Sequence, residues 1–546
     1  MALRLHNTLT KREEEFVPRE AGKAAMYVCG PTVYDSSHVG HMRAAIVFDV
    51  LRRYLEFRGF RVRHVQNVTD VEDKIIARAQ AEGVPPEQIT NRYSEEYQRA
   101  AEALNILAPH VEPRATQHIP EMITMIRTLI ERGHAYYAEG DVYFDVTTLP
   151  EYGKLSGRVL DELKAGARVE PGEFKRHPAD FALWKRAKLG EPSWDSPWGK
   201  GRPGWHIECS AMSLKYLGMG FDIHGGGDDL IFPHHENEIA QSEAYAGTQP
   251  FARYWLHNAM VMTRGEKMSK SMHNYFAIER ALQRYSGVVV RYALVSVHYR
   301  KPLDFEEERF DDAAHAVERI RVALASVEAA LRLARRDGEE NLESLIGSEV
   351  GLQKAVSRAH EQFLAAMDDD LNTSGALAAI FDLVLEANRT ADGVLKGVEP
   401  ARGAAAGLRQ ARDALQELMN VLGLVITPAI SGQVITESPG VTISETPTAT
   451  VTLVPGALRL KLTHRLQELA ADLRRNVGHF LPDELPEDLE GLLQVILHGR
   501  EQARKTKDFK TADAIRSRLT EAGILVEDLP TGPRWRIAGP DGHAPN

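Results

Sequence analysis

The stretch AAMYVCGPTVYDSSHVGHMRAAIVFDVLRRYLEFRGFRVRHVQNVTD, residues 24–70, decides the fold class. AAMYVCG is a short apolar run closed by Gly30-Pro31, which predicts a buried strand ending in a turn. Ile46, Val50, Leu51, Tyr54 and Leu55 then recur at steps of three and four up to Gly59, the pattern of a helix with one apolar face and a glycine stop. FRVRHVQNVTD alternates like a second strand. A strand, helix and strand in succession point to a parallel α/β sheet.

Working outward, residues 121–205 change texture to turns rich in Gly, Pro and Trp, as in GEPSWDSPWGKGRPGW, and read as an insertion. FDIHGGGDDLIFPHHENEIAQSEAYAG, residues 221–247, returns to strand, glycine turn and helix, and YWLHNAMVM predicts one more strand. The sheet is therefore expected in two halves, over residues 1–120 and 206–310, split by a connective insertion. Val317, Ile320, Leu324, Val327 and Leu331 open a helical bundle over 311–428. Residues 429–456, rich in Thr, Val, Ser and Pro, read as a linker. Residues 457–546 read as a small mixed domain: a basic helix, a stop at Gly523 and a strand pair.

A chain of 546 residues exceeds what one hydrophobic core supports, so several domains are required. With 43% hydrophobic and 26% charged residues it is neither disordered nor fibrous. No apolar run reaches the roughly 18 residues of a membrane span. MALRLHNTLTKREEE is too polar and acidic for an export signal, which makes the cytoplasm the expected address. Two cysteines exclude a disulfide scaffold and leave each as a buried small hydrophobe, a nucleophile or a metal ligand. A net charge of -11 excludes a uniformly basic nucleic-acid binder but not a local basic surface.

Two motifs carry the chemistry. In HVGH, His38 and His41 stand at the start of the helix, where free amides and the helix dipole favour anions and Gly40 leaves room for a flat ring; this suits a nucleoside triphosphate. Two capping histidines on a surface are the plain alternative. In EKMSKS, Lys267 and Lys270 lie three apart beside Gly265, placed to meet charge developing on phosphate oxygens. A solvated lysine-rich loop is the alternative there.

A split α/β sheet with H-x-G-H near its front and K-M-S-K-S after its second half resembles the class I aminoacyl-tRNA synthetases. MYVCGPTVYD, NVTDVEDKII, GRPGWHIECSAMS, DIHGGGDDLIFPHHENEIAQSEA and MDDDLNTSGAL narrow the resemblance to the cysteinyl-tRNA synthetase family, over nearly the whole chain. The resemblance implies a Rossmann-like catalytic domain that activates L-cysteine with ATP and transfers it to tRNA(Cys). It implies one Zn²⁺ per subunit on Cys29, Cys209, His234 and Glu238, and Mg²⁺ with the ATP. His234 and Glu238, four apart on one helix, share a face, and two thiolates, an imidazole and a carboxylate suit zinc. His235 is expected to point elsewhere on that helix as an orienting or structural group.

By the same resemblance His38 and His41 contact the triphosphate and adenosine, and Lys267 and Lys270 the pentacoordinate transition state. Asp229 holds the ATP ribose, and Thr69, Trp205 and His224 are pocket candidates. For tRNA, REQARKTKDFK offers Arg500, Arg504, Lys505, Lys507 and Lys510, and GPRWRI offers Trp535 between Arg534 and Arg536. Basic groups track phosphates while an exposed aromatic stacks on a splayed base. The family also implies a monomer. A cysteine ligase of the same superfamily with an amino-sugar inositol acceptor is the rival, and it lacks the long C-terminal region. KIIAR, residues 74–78, resembles a motif linked in the family to pyridoxal phosphate and persulfide formation, but the start of an amphipathic helix is the preferred reading. The chain departs from the family pattern at Val39, where isoleucine is commoner, at MHN after the lysine motif, and in the Thr and Val-rich segment.

Overall fold

The computed structural model describes residues 2–160, 174–263, 266–267, 275–336, 348–427, 466, 489–506, 508–521, 524–529 and 532–537. The linker 429–456, Lys270 and Lys507 lie outside them.

Strand β1 (Lys23–Val28) leads through a loop to helix α1 (Val39–Phe57) and back to β2 (Arg61–Gln66). The helix forms because its apolar positions fall on one side: Met42, Ile46, Val50, Leu51, Tyr54 and Leu55 are buried. After an insertion come α2 (Trp205–Leu217), β7 (Phe221–Gly227), α3 (Glu236–Ala246) and β8 (Ala252–Asn258), where β3–β6 belong to the insertion. The central sheet runs β8-β7-β1-β2, all parallel. The two halves of the chain meet where β1 pairs with β7, with Tyr27 opposite His224 and Val28 opposite Gly225. That seam has no room for side chains at two glycines. A Cβ on Gly225 would fall 2.1 Å from the Phe48 ring, and one on Gly30 would fall 1.5 Å from the Asn67 carbonyl oxygen.

The insertion is more ordered than its turn-rich sequence predicts. β3 (Ala135–Ala138), β4 (Asp141–Phe144), β5 (Phe181–Arg186) and β6 (Gly201–Pro203) form an antiparallel sheet in sequence order. Strands of three to six residues are too short to show an alternating pattern; buried Phe144, Phe181, Leu183 and Trp184 hold them together. YWLHNAMVM is not one strand either. β8 stops at Asn258, and β9 (Val261–Thr263) joins a separate small sheet with β10 (Glu266–Lys267) and β11 (Leu303–Asp304).

The chain forms two compact units, one of residues 1–315, 360–380 and 417–425, the other of the remainder. Helical residues Val317, Ile320, Leu324, Val327 and Leu331 are buried as their spacing predicts. Near the C-terminus two helices, Leu489–Lys505 and Phe509–Glu521, replace the single one expected, and the pair Ile524–Leu529 and Gly532–Ile537 is antiparallel. Among the described residues no helix is long and apolar enough to cross a membrane.

Candidate active site and metal-binding cluster

Four elements converge at the β1–β7 seam. Cys29 directly follows β1, and its N–H donates to Gly225 O at 3.0 Å. Cys209 projects from α2. His224 sits in β7, and His234, His235 and Glu238 lie at and just before the start of α3. Cys29 Sγ is 3.6 Å from Cys209 Sγ and 3.4 Å from Glu238 Oε1. Glu238 Oε1 is 3.0 Å from His234 Nε2, while its Oε2 is 3.0 Å from His224 Nε2. All but Cys29 are buried, and Cys29 is half-buried.

Donor atoms of Cys29, Cys209, His234 and Glu238 lie within 4.8 Å of one another, as do those of Cys29, His224, His235 and Glu238. Two sulfurs on a tetrahedral zinc, each about 2.3 Å from it, stand about 3.8 Å apart, which the Cys29–Cys209 separation matches. The first set also brings both soft thiols together, the chemistry zinc prefers.

Electrostatics follow from packing several ionisable groups out of water. Burial pushes the Cys29 thiol well above its usual range, with the Cys209 thiol beside it adding to the rise. Burial also pushes Cys209 up, but the hydrogen bond from Cys29 and the neighbouring His234 charge outweigh it and bring it to about 6. Burial disfavours charge on His234, yet Glu238 and Cys209 raise it to about 10. Against its own burial, Glu238 is held down at about 2 by His224 and His234.

Expectation and structure differ at His235. The segment Ile231–His235 is wound wider than an α-helix, with Phe232 extended at φ -140°, ψ 131°. His235 stands three positions before Glu238, a spacing that shares the helix face as four does, and its Nε2 faces Cys29 Sγ at 3.2 Å instead of pointing away. His235 Nδ1 meets His257 Nε2 at 2.7 Å, and His257 Nδ1 meets Thr8 Oγ1 at 2.8 Å. His206 Nδ1 lies 3.1 Å from His234 Nδ1. Sequence reasoning missed His206, His257, Asn67 and Glu208; His206 and Glu208 lie within the quoted GRPGWHIECSAMS and Asn67 opens NVTDVEDKII, but no spacing singles any of the four out.

The pocket candidates surround the cluster. Trp205 is partly exposed and stacks on His234, ring centres 4.3 Å apart. His224 stacks on Trp255 at 4.4 Å. Buried Thr69 donates from Oγ1 to Glu208 Oε2 at 2.9 Å and accepts from Asn67 Nδ2 at 3.3 Å. Asn67 Oδ1 in turn accepts from Gly30 N–H at 2.9 Å and faces Cys209 Sγ at 3.6 Å.

His38 caps α1: its Nδ1 accepts from Gly40 N–H at 3.1 Å, and His38 N–H donates to His41 Nδ1 at 3.4 Å. The two rings stack with centres 3.7 Å apart. Asp229 lies exposed in the turn after β7. Lys267 lies in β10 opposite Met262. Of the basic groups, Arg504, Lys505 and Lys510 are exposed, Lys505 pairing with Glu501 at 3.0 Å. Arg500, expected on a phosphate-facing surface, is instead buried at 3% exposure, because it falls on the helix face that carries Leu493, Ile496 and Ala503 inward. Trp535 lies in the last strand opposite Val526.

A parallel sheet in two halves, a histidine-capped helix at its seam and a lysine-bearing strand beyond it define the class I aminoacyl-tRNA synthetase catalytic domain. Residues 15–315 match the family described as tRNA synthetases class I (C) catalytic domain, residues 362–427 the DALR domain, and residues 483–536 the cysteinyl-tRNA ligase anticodon binding domain. The chain belongs to the cysteine–tRNA ligase family. It is 46% identical over 538 residues to the cysteine–tRNA ligase of Heliobacterium modesticaldum, covering 98% of this chain and 100% of that one. It is 47% identical over 537 residues to that of Geobacter sulfurreducens, with the same coverage. Among solved structures, Mycobacterium tuberculosis methionyl-tRNA synthetase in complex with methionyl-adenylate shares the fold, with TM-score 0.53, 19% identity, and coverage of 73% of this chain and 89% of that one.

Proposed function

We propose that the chain activates L-cysteine with ATP, releasing pyrophosphate, and passes the cysteinyl group to the terminal ribose of tRNA(Cys), as a cytoplasmic monomer. The observation that carries the choice of amino acid is the set of two thiols, an imidazole and a carboxylate at the seam of the sheet. Cys29, Cys209, His234 and Glu238 would hold zinc. When bound, zinc supplies a Lewis acid that takes a thiolate readily and a serine hydroxyl poorly. An apolar pocket alone would separate such isosteres by only about a hundredfold.

The chain's own groups do the rest by position and charge. Trp205 and Thr69 flank the cluster as walls of the amino-acid pocket. His224 holds Glu238 from the side away from His234. His38 and His41, stacked at the start of α1, offer imidazole and helix-end donors to the triphosphate, which Mg²⁺ accompanies. Asp229 contacts the ATP ribose. Lys267 and Lys270 stabilise charge on the α-phosphate as the cysteine carboxylate attacks and pyrophosphate leaves. Arg504, Lys505, Lys507 and Trp535 contact the tRNA. The anticodon-domain match and full-length coverage support tRNA over an amino-sugar acceptor.

The test is pyrophosphate exchange with cysteine, followed by charging of tRNA(Cys). Replacing Arg504 and Lys505 together with Ala is expected to lower charging and leave exchange unchanged. Equal charging by the double variant would remove these residues from the tRNA contact.

A further inference from the structure

Arg43 is fully buried and, among the described residues, has no carboxylate hydrogen-bonded to it, an unusual position for a guanidinium. Its Nη1 donates to Ala259 O at 2.9 Å and Met260 O at 3.0 Å; its Nη2 donates to His298 O at 3.2 Å and Lys301 O at 2.6 Å. The first pair of carbonyls lies in the break between β8 and β9, the second just before β11. β9 and β11 are adjacent parallel strands, with Val261 opposite Leu303. One planar fork therefore fastens the starts of both strands to α1, two residues beyond His41. The start of the helix also lies beside β9, a Cβ on Gly40 falling at ordinary contact distance, 3.9 Å, from Val261 Cγ2. β9 in turn pairs antiparallel with β10, placing Lys267 opposite Met262.

We infer that Arg43 is a positioning residue for adenylate formation: through Ala259 and Met260 it sets β9, and hence Lys267, against the His38–His41 pair. The inference rests on the proposed roles of those three residues. Arginine suits the task because one rigid fork reaches four acceptors on two segments; lysine offers a single nitrogen that cannot span them.

Arg43→Lys tests this, with Arg43→Gln as a second variant and every rate normalised to folded, zinc-loaded protein. The expected result is a fall of about a hundredfold in kcat for pyrophosphate exchange, the scale of a misplacement of about 1 Å, with KM for cysteine within about twofold. Lys267→Ala should then cost much less in the Arg43→Lys background than in the wild type, whereas His224→Asn should cost the same in both. Equal cost of Lys267→Ala in the two backgrounds, or a rise in KM for cysteine in step with the loss of kcat, would overturn the inference and leave the proposed reaction standing. A Lys267→Ala enzyme that exchanges at the wild-type rate would overturn the assignment of Lys267 and the inference with it.

Discussion

Cys29 and Cys209 are separated by 180 positions in the chain and by 3.6 Å between their sulfurs. The fold brings them together by pairing β1 with β7 across the insertion and laying α2 against the end of β1. Replacing either cysteine with serine should abolish stoichiometric zinc and lower cysteine activation by more than the roughly 10- to 100-fold typical of an outer-shell change. Metal analysis of the purified variants checks this; full zinc in Cys209→Ser would remove that residue from the ligand set.

His224 holds Glu238 Oε2 at 3.0 Å while Glu238 Oε1 faces His234. A side chain that orients a ligand from behind tunes affinity without being essential to it. His224→Asn is therefore expected to weaken zinc binding about 10- to 100-fold while the protein stays folded. Competition with a chromophoric chelator measures the change, and a complete loss of zinc would instead make His224 a ligand.

Acid sensitivity should arise partly outside the cluster. His64 in β2 is buried with neither ring nitrogen hydrogen-bonded among the described residues, and burial lowers it to about 3. Its folded value lies below the unfolded 6.5, so the unfolded chain binds the extra proton between those limits and stability falls as pH drops from 6.5 toward 3. One such group contributes a slope of about 1.4 kcal/mol per pH unit. Urea unfolding of the wild type and of His64→Leu, from pH 7 to pH 4, should show a shallower pH dependence in the variant.

The sequence made the catalytic sheet legible because each half is built of long, locally periodic elements: the α1 stripe from Met42 to Leu55 and the strand-glycine-helix run from Phe221 to Ala246 announce themselves. His38 as a helix cap was equally readable. The insertion was not, since its strands cohere through contacts such as Trp184 with Pro203 across β5 and β6, which no local pattern encodes. The metal cluster was readable only through family resemblance, as its members come from four separate elements. His235 was misplaced because the expectation weighed only the four-residue step from His234 to Glu238, whereas the three-residue step from His235 shares that face too. Arg43 was hidden for a related reason: its partners are backbone carbonyls, whose positions leave no mark on side-chain identity.

The most direct measurement of the central claim is ATP–pyrophosphate exchange by purified, metal-quantified protein with cysteine and serine side by side. The account predicts one zinc per chain and a preference for cysteine well beyond the hundredfold or so that an apolar pocket can give. Protein that lacks zinc and activates serine as readily as cysteine would contradict it.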